Sequence, residues 1–86
     1  MYNIEVSPSA FKFLERLKKS QKNIADRIIL SIDSLKGEPY KGKKLLGGLS
    51  NFRSLRVGEY RIIYTIIEKR ILIQIVRIAH RREVYR

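Results

Sequence analysis

Eighty-six residues leave room for one domain around one modest core, because a short chain buries a smaller share of its surface than a long one; a deep pocket for a large cofactor is not expected. Nineteen Lys and Arg against eight Asp and Glu give a formal net charge of +11. A polyanion is then the natural partner, since release of condensed counterions from nucleic acid drives such binding, with plain solubility as the bland alternative. The absence of cysteine excludes disulfides, thiolate catalysis and thiolate metal sites and fits a cytoplasmic setting.

No secretory signal or membrane span is expected. The most apolar stretch, 60–78, is interrupted by Arg61, Glu68, Lys69, Arg70 and Arg77. Lysines crowd the first half and arginines dominate after Asn51. A guanidinium is a planar fork that binds phosphate through two parallel hydrogen bonds, whereas an ammonium is a hydrated point charge, so the second half suits phosphate geometry and the first general attraction.

In chain order, residues 2–6 alternate apolar and polar as a half-buried strand does. Ser7-Pro8 then supplies a helix cap and a first-turn proline. Phe11, Leu14 and Leu17, with Phe13 beside them, fall on one helical face, and Lys18-Lys19 places positive charge at the end where the helix dipole favours it. A second helix begins near Ser20, with a stripe of Ile24, Ala25, Ile28, Ile29, Ile32 and Leu35 that stops at Gly37 and Pro39. That stripe reads as a core face rather than a partner-binding one.

Residues 37–51 read as a glycine-rich basic connection. Gly37, Gly42, Lys43 and Lys44 nearly spell a nucleotide-binding P-loop. The motif requires Ser or Thr after its lysine, a strand before it and a helix after it, and here Lys44 follows, the preceding element is a helix and Pro39 interrupts.

Three strand-like runs follow, 52–57, 60–67 and 70–78, separated by Gly58-Glu59 and Glu68-Lys69. Glycine first in a two-residue connection suits a type II′ hairpin. The string predicts an α+β fold: an N-terminal strand, a two-helix hairpin, then a three-stranded antiparallel meander in a mostly antiparallel four-stranded sheet, with a short C-terminal tail or helix.

A turn at Gly58-Glu59 pairs Val57 with Tyr60 and sets Arg56 opposite Arg61. Like charges directly opposite across strands are destabilising, so either an anion such as a phosphodiester bridges them or both splay into solvent. The register gathers Leu55, Val57, Ile62, Ile66, Ile71, Ile73 and Ile75 on the core face. The opposite face carries Ser54, Arg56, Arg61, Thr65 and Gln74 among Ile63, Leu72 and Val76. Beyond the last strand, His80, Arg81, Arg82, Tyr85 and Arg86 either fold over that polar face or fray as a charged terminus.

One histidine cannot supply the acid and base of a two-histidine ribonuclease. Asp26, Asp33 and Glu68 offer no framework for two metals, no zinc spacing is present, and no serine carries a nucleophile signature, so neither cofactor nor metal is expected. What remains is cleavage of RNA by its own 2′-hydroxyl, with arginines stabilising the charge on phosphorus. Tyr85 or His80 could move protons. Tyrosine, with an ordinary pKa of about 10, needs cationic neighbours for that task, and here they are present.

The runs Leu45-Leu46-Gly47-Gly48-Leu49, then Leu55-Arg56-Val57-Gly58-Glu59-Tyr60-Arg61-Ile62-Ile63-Tyr64, then His80-Arg81-Arg82-Glu83-Val84-Tyr85 resemble the RelE branch of the RelE/ParE toxin superfamily. The resemblance covers essentially the whole chain and implies a single RelE-like toxin domain over 1–86. The middle run marks the superfamily and separates its branches poorly, while the tail leans towards RelE. It implies a toxin that enters the ribosomal A site, cleaves the exposed mRNA, and is silenced by a cognate RelB-like antitoxin.

Carried over by position, Arg61 matches the arginine of the central strand, Arg56 a basic position of the preceding strand, and Arg81 and Tyr85 the functional arginine and tyrosine of the C-terminal segment. Lys43, Lys44, Arg53, His80 and Arg82 are expected to contact RNA or the ribosome. Ser54 departs from the pattern, standing where many members carry a basic residue, with Arg53 one place out of phase. The alternatives are a ParE-like DNA gyrase inhibitor without nuclease activity and a nucleic-acid or ribosome-binding module without toxicity.

Overall fold

The computed structural model describes residues 1–49 and 51–82. Its elements are β1 (Asn3–Val6), α1 (Pro8–Ser20), α2 (Lys22–Ser34), β2 (Lys43–Lys44), β3 (Arg53–Val57), β4 (Tyr60–Ile67) and β5 (Leu72–His80), with 3₁₀ turns at Gly47–Leu49 and Glu68–Arg70. The sheet order is β1-β5-β4-β3-β2. β1 runs parallel to β5 and every other pair is antiparallel.

The helices start and stop where their chemistry directs. The Ser7 side chain accepts a hydrogen bond from the Ala10 amide at 3.1 Å, satisfying one of the orphan donors of the first turn, and Pro8 has no donor to lose there. α1 lies over β5 and α2 over β3. Ala10 and Leu17 from α1, and Ala25, Ile28, Ile32 and Leu35 beyond them, close on Val57, Ile62, Tyr64, Ile73, Ile75 and Ile78 of the sheet. Ala10, Ala25, Ile28, Leu35, Ile62, Tyr64, Ile73 and Ile75 are all fully buried.

Four departures from the sequence pattern have local causes. The connection 37–51 contributes a fifth strand, the two-residue β2, whose Lys43 and Lys44 pair with Ser54 and Arg53. Phe11 and Ile29, counted on the apolar faces of the helices, are 56% and 41% exposed: each stripe is wider than the strip of helix the sheet can cover. Ile71 leaves the core face because the 3₁₀ turn from Glu68 to Arg70 ends with Ile71 in the left-handed region at φ 49°, turned to solvent. Leu72 is buried on the helix-free face, outside the core cluster.

The fourth departure shapes the site. Tyr64 pairs with Ile75 and Ile63 with Arg77, so Val76 is an extra residue in β5. A β-bulge of this kind reverses the alternation beyond it.

Candidate nucleic-acid interface

The β3–β4 connection is Gly58-Glu59, with Gly58 at φ 59° as the first position of a type II′ turn requires. Val57 pairs with Tyr60, and the next pair is Arg56 opposite Arg61, as the register predicts. Directly opposed Cβ atoms stand about 4.5–5.5 Å apart. Across from Arg61 on β5 is Ala79, so this row carries two guanidiniums and nothing bulky. Arg56 Nε donates to the Gly58 carbonyl at 3.1 Å, which draws that side chain towards the turn.

The adjacent row on the same helix-free face runs Lys43, Ser54, Ile63, Arg77 across β2, β3, β4 and β5. Unbroken alternation along β5 would keep Leu72, Gln74 and Val76 on this face and turn Arg77 towards the helices. The bulge at Val76 returns Arg77 to it. The signal in the sequence was a conflict: an arginine in core phase between Ile75 and Ile78, which a skipped residue resolves. Ser54, the small residue of the row, is 3% exposed, and its hydroxyl has no hydrogen-bond partner among the described residues.

Arg81 continues the β4–β5 pairing past the end of the strand. Its amide donates to the Glu59 carbonyl at 2.7 Å, and its Nε forms an ion pair with Glu59 Oε2 at 2.9 Å. Arg81 is thereby held at the Gly58-Glu59 turn, the same end of the sheet as Arg56 and Arg61. Arg82 follows it, exposed, its amide donating to His80 Nδ1 at 3.3 Å. Tyr85 and Arg86 lie outside the described residues.

Of the expected site residues, the sheet puts Lys43, Arg56 and Arg61 on one face, with Arg81 at the Gly58-Glu59 turn. It does not bring Lys44, Arg53 and His80 to them. His80 pairs with Tyr60, and the two rings meet edge to face at 5.6 Å on the helix side, where Phe13 also packs on Tyr60 at 5.8 Å. Arg53 pairs with Tyr64 on that side too. Its Nη1 donates to the carbonyls of Gly42 at 2.8 Å and Tyr40 at 3.2 Å, and the guanidinium stands 5.0 Å from the Tyr40 ring.

Arg53 therefore holds the loop that leads into β2, and Tyr64 holds it from below. The Tyr64 hydroxyl donates to the Pro39 carbonyl at 2.8 Å and accepts from the Gly42 amide at 2.9 Å. Burial raises the Tyr64 pKa, while the Gly42 hydrogen bond and the Arg53 charge offset part of the rise. Position 42 has to be glycine: a Cβ there would collide with the Tyr64 hydroxyl and lie 2.7 Å from Cε1 of the ring. Sequence patterning had no place for Tyr64, although it shares the alternation of Ile62 and Ile66.

Among the described residues no group of three or more His, Asp or Glu side chains is close enough to hold a metal ion. No described helix is long and apolar enough to cross a membrane. What the helix-free face offers is fixed positive charge in two rows.

Strand, helical hairpin and meander in this order, with opposed arginines on the face turned from the helices, define a small basic α+β protein. The sequence model described as the ParE toxin of the type II toxin-antitoxin system, parDE, matches residues 4–85, and the chain belongs to this family of the RelE/ParE toxin superfamily. Toxin RelE of Mycobacterium tuberculosis is 30% identical over 86 residues, covering 99% of this chain and 87% of that protein. The putative toxin RelE4 of Methanocaldococcus jannaschii is 25% identical over 87 residues, covering 100% and 93%. The crystal structure of the toxin-antitoxin complex RelBE2 from M. tuberculosis superposes with a TM-score of 0.81 at 27% identity, covering 92% of this chain and 96% of its own.

Proposed function

We propose that this type II toxin is a ribosome-dependent endoribonuclease that cleaves mRNA in the A site without a metal ion. In this reaction the 2′-hydroxyl of one nucleotide loses its proton and attacks the neighbouring phosphorus, and the 5′-oxygen leaves with a proton, giving a 2′,3′-cyclic phosphate and a free 5′-hydroxyl. Negative charge accumulates on the phosphoryl oxygens as the pentavalent state forms. Fixed cations aimed at those oxygens need no reorganisation at the moment of reaction, which is where their catalytic benefit lies.

The observation that carries the proposal is Arg56 directly opposite Arg61 on the helix-free face, with Arg81 at the same turn. Like charges directly opposite repel, and a phosphodiester between the two guanidiniums offsets that repulsion. Arg61 and Arg81 are assigned to charge stabilisation, Arg56 to phosphate binding and orientation, and Tyr85 to proton transfer. Lys43, Lys44, Arg53, His80 and Arg82 are assigned to RNA or ribosome contacts, with Lys43 nearest the phosphate. The RelE names of the two curated relatives support this branch of the superfamily.

The neighbouring RelBE2 structure is a toxin-antitoxin complex, and by analogy a RelB-like antitoxin is the proposed partner that silences this chain in the cytoplasm. The whole of 1–86 acts as one RelE-like toxin domain in this proposal. A second reading, inhibition of DNA gyrase by binding alone, is favoured by the ParE description of the matching family.

The test is a reconstituted translation reaction with mapped mRNA ends. Wild-type protein should cut mRNA on the ribosome, and Arg61→Ala and Arg81→Ala should lose cleavage while melting as folded proteins. Normal cleavage by both variants would refute the assignment, and inhibited supercoiling with intact mRNA would favour the gyrase reading.

A further inference from the structure

We infer that Arg77, re-aimed by the bulge at Val76, and Lys43 form a second phosphate subsite that binds the phosphodiester next to the one held by Arg56 and Arg61. The inference deepens the nuclease proposal and rests on it for the identity of the ligand as single-stranded RNA.

The geometry comes from the ladder. Arg56–Arg61 and Ser54–Ile63 are alternate pairs of the β3–β4 hairpin, so they lie on one face two residues apart along the strands, a separation of about 6.8 Å. That separation is close to the step between successive phosphates in a single strand whose bases are unstacked. The second row is closed at its two ends by Lys43 and Arg77. Between them stand Ser54, small and itself buried, and the half-buried Ile63. The face is thus a strip with two cationic rungs.

The bulge is the second, independent observation. A regular β5 would aim Arg77 at α1, where an arginine would have to be buried, and would bring Ile78 to the helix-free face. With Val76 looped out, Ile78 is 3% exposed in the core cluster and Arg77 is exposed on the side of Arg61. Bulges that re-aim a side chain beside a functional surface are a recurrent device in antiparallel sheets. Here one extra residue exchanges an isoleucine for an arginine on the strip.

A strip of two rungs fixes the direction as well as the position of the RNA chain. With one phosphate held, the strand can pivot about it. With two held, the line between the phosphorus atoms is set by the strands, and the 2′-hydroxyl is presented to the first rung from a defined side. Arg77 is therefore a positioning residue: its loss acts on binding and alignment through the neighbouring phosphate.

The probes are 2′-O-methylated di- and trinucleotides without terminal phosphates, which carry one and two phosphodiesters and cannot be cleaved. Binding to the full chain is followed by NMR titration. In the wild type the second phosphodiester should tighten binding about tenfold, the worth of one charge-assisted contact. Arg77→Ala should lose most of that gain and leave dinucleotide binding within about twofold, whereas Arg61→Ala should weaken both ligands. Affinity for the trinucleotide should depend less steeply on salt in Arg77→Ala than in the wild type, with the dependence kept in Arg77→Lys.

In the cleavage reaction Arg77→Ala should raise KM several-fold, with a smaller loss of kcat than Arg61→Ala shows. A trinucleotide gain that is absent in the wild type or preserved in Arg77→Ala overturns the subsite. If the gain depends on Arg77 but no mRNA is cut, the subsite stands and the nuclease proposal falls; if mRNA is cut and the gain ignores Arg77, the reverse holds.

Discussion

Arg81 meets Glu59 at two points, its amide on the Glu59 carbonyl at 2.7 Å and its Nε on the Glu59 carboxylate at 2.9 Å. The backbone contact extends the β4–β5 ladder to the hairpin turn, and the side-chain contact leaves Arg81 and Glu59 47% and 57% exposed. An ion pair this exposed contributes about 0–1 kcal/mol. Its larger consequence is electrostatic: the only carboxylate of the Gly58-Glu59 turn is spent on a cation assigned to phosphate. Glu59→Gln should therefore leave the melting temperature nearly unchanged and tighten RNA binding several-fold at low salt, with the difference shrinking as salt rises. Equal or weaker affinity in a filter-binding series would count against Arg81 as a phosphate ligand.

A second expectation concerns the loop before β2. The Tyr64 hydroxyl fills its donor and acceptor roles on Pro39 and Gly42, and the ring occupies the space a Cβ at position 42 would need. Gly42→Ala should destabilise the fold by about 1–3 kcal/mol through overpacking against a ring that is itself fully buried. Tyr64→Phe should cost about 1–3 kcal/mol by stranding the Gly42 amide and the Pro39 carbonyl. Because both changes act on one contact, the double variant should lose clearly less than the sum in urea unfolding. Strict additivity would mean that the loop is held by Arg53 alone.

Alkaline pH probes the same hydroxyl. Burial lifts the Tyr64 pKa above the ordinary tyrosine value of about 10, so the folded state holds its proton more tightly than the unfolded chain does. Below pH 10 both states are protonated and the contribution is complete. As pH climbs from 10 towards the raised folded value, the unfolded chain ionises first and stability falls. Tyr2 adds in the same sense, because its hydrogen bond to the Glu68 carboxylate favours the neutral phenol. Unfolding free energy measured from pH 9 upward should decline more steeply in the wild type than in Tyr64→Phe, and parallel curves would remove Tyr64 as the cause.

Why the Arg56–Arg61 pair could be read from residues alone, and Arg77 could not, has a physical answer. A two-residue turn at Gly58 admits one register, and that register carries both arginines, the core positions from Leu55 to Ile66 and the side of the sheet they occupy. The helices were equally legible, since a serine cap, a proline and a four-residue apolar spacing act locally. β2 is two lysines long and exists only because β3 offers them an edge, so nothing within residues 37–51 announces it. The bulge at Val76 is a compromise between strands distant in sequence, and only its symptom, a charged residue in core phase, was written in the chain. His80 stands apart from the arginines for the same reason, because the reversed alternation sends it to Tyr60.

The last expectation follows from repulsion between Arg56 and Arg61. Like charges directly opposite on a sheet cost roughly 0.2–1 kcal/mol, and screening by salt reduces the cost. An anion bound between them both removes that penalty and adds binding energy, so inorganic phosphate should raise the melting temperature of the wild type beyond what an equal ionic strength of chloride achieves. The size of the effect is set by ligand concentration over Kd, as for any ligand that binds the folded state alone. Arg56→Ala should be at least as stable as the wild type in low salt, apart from the lost contact to the Gly58 carbonyl. It should also gain less than half as much from phosphate, and so should Arg61→Ala. If phosphate stabilises wild type and both variants equally, the two guanidiniums do not share an anion.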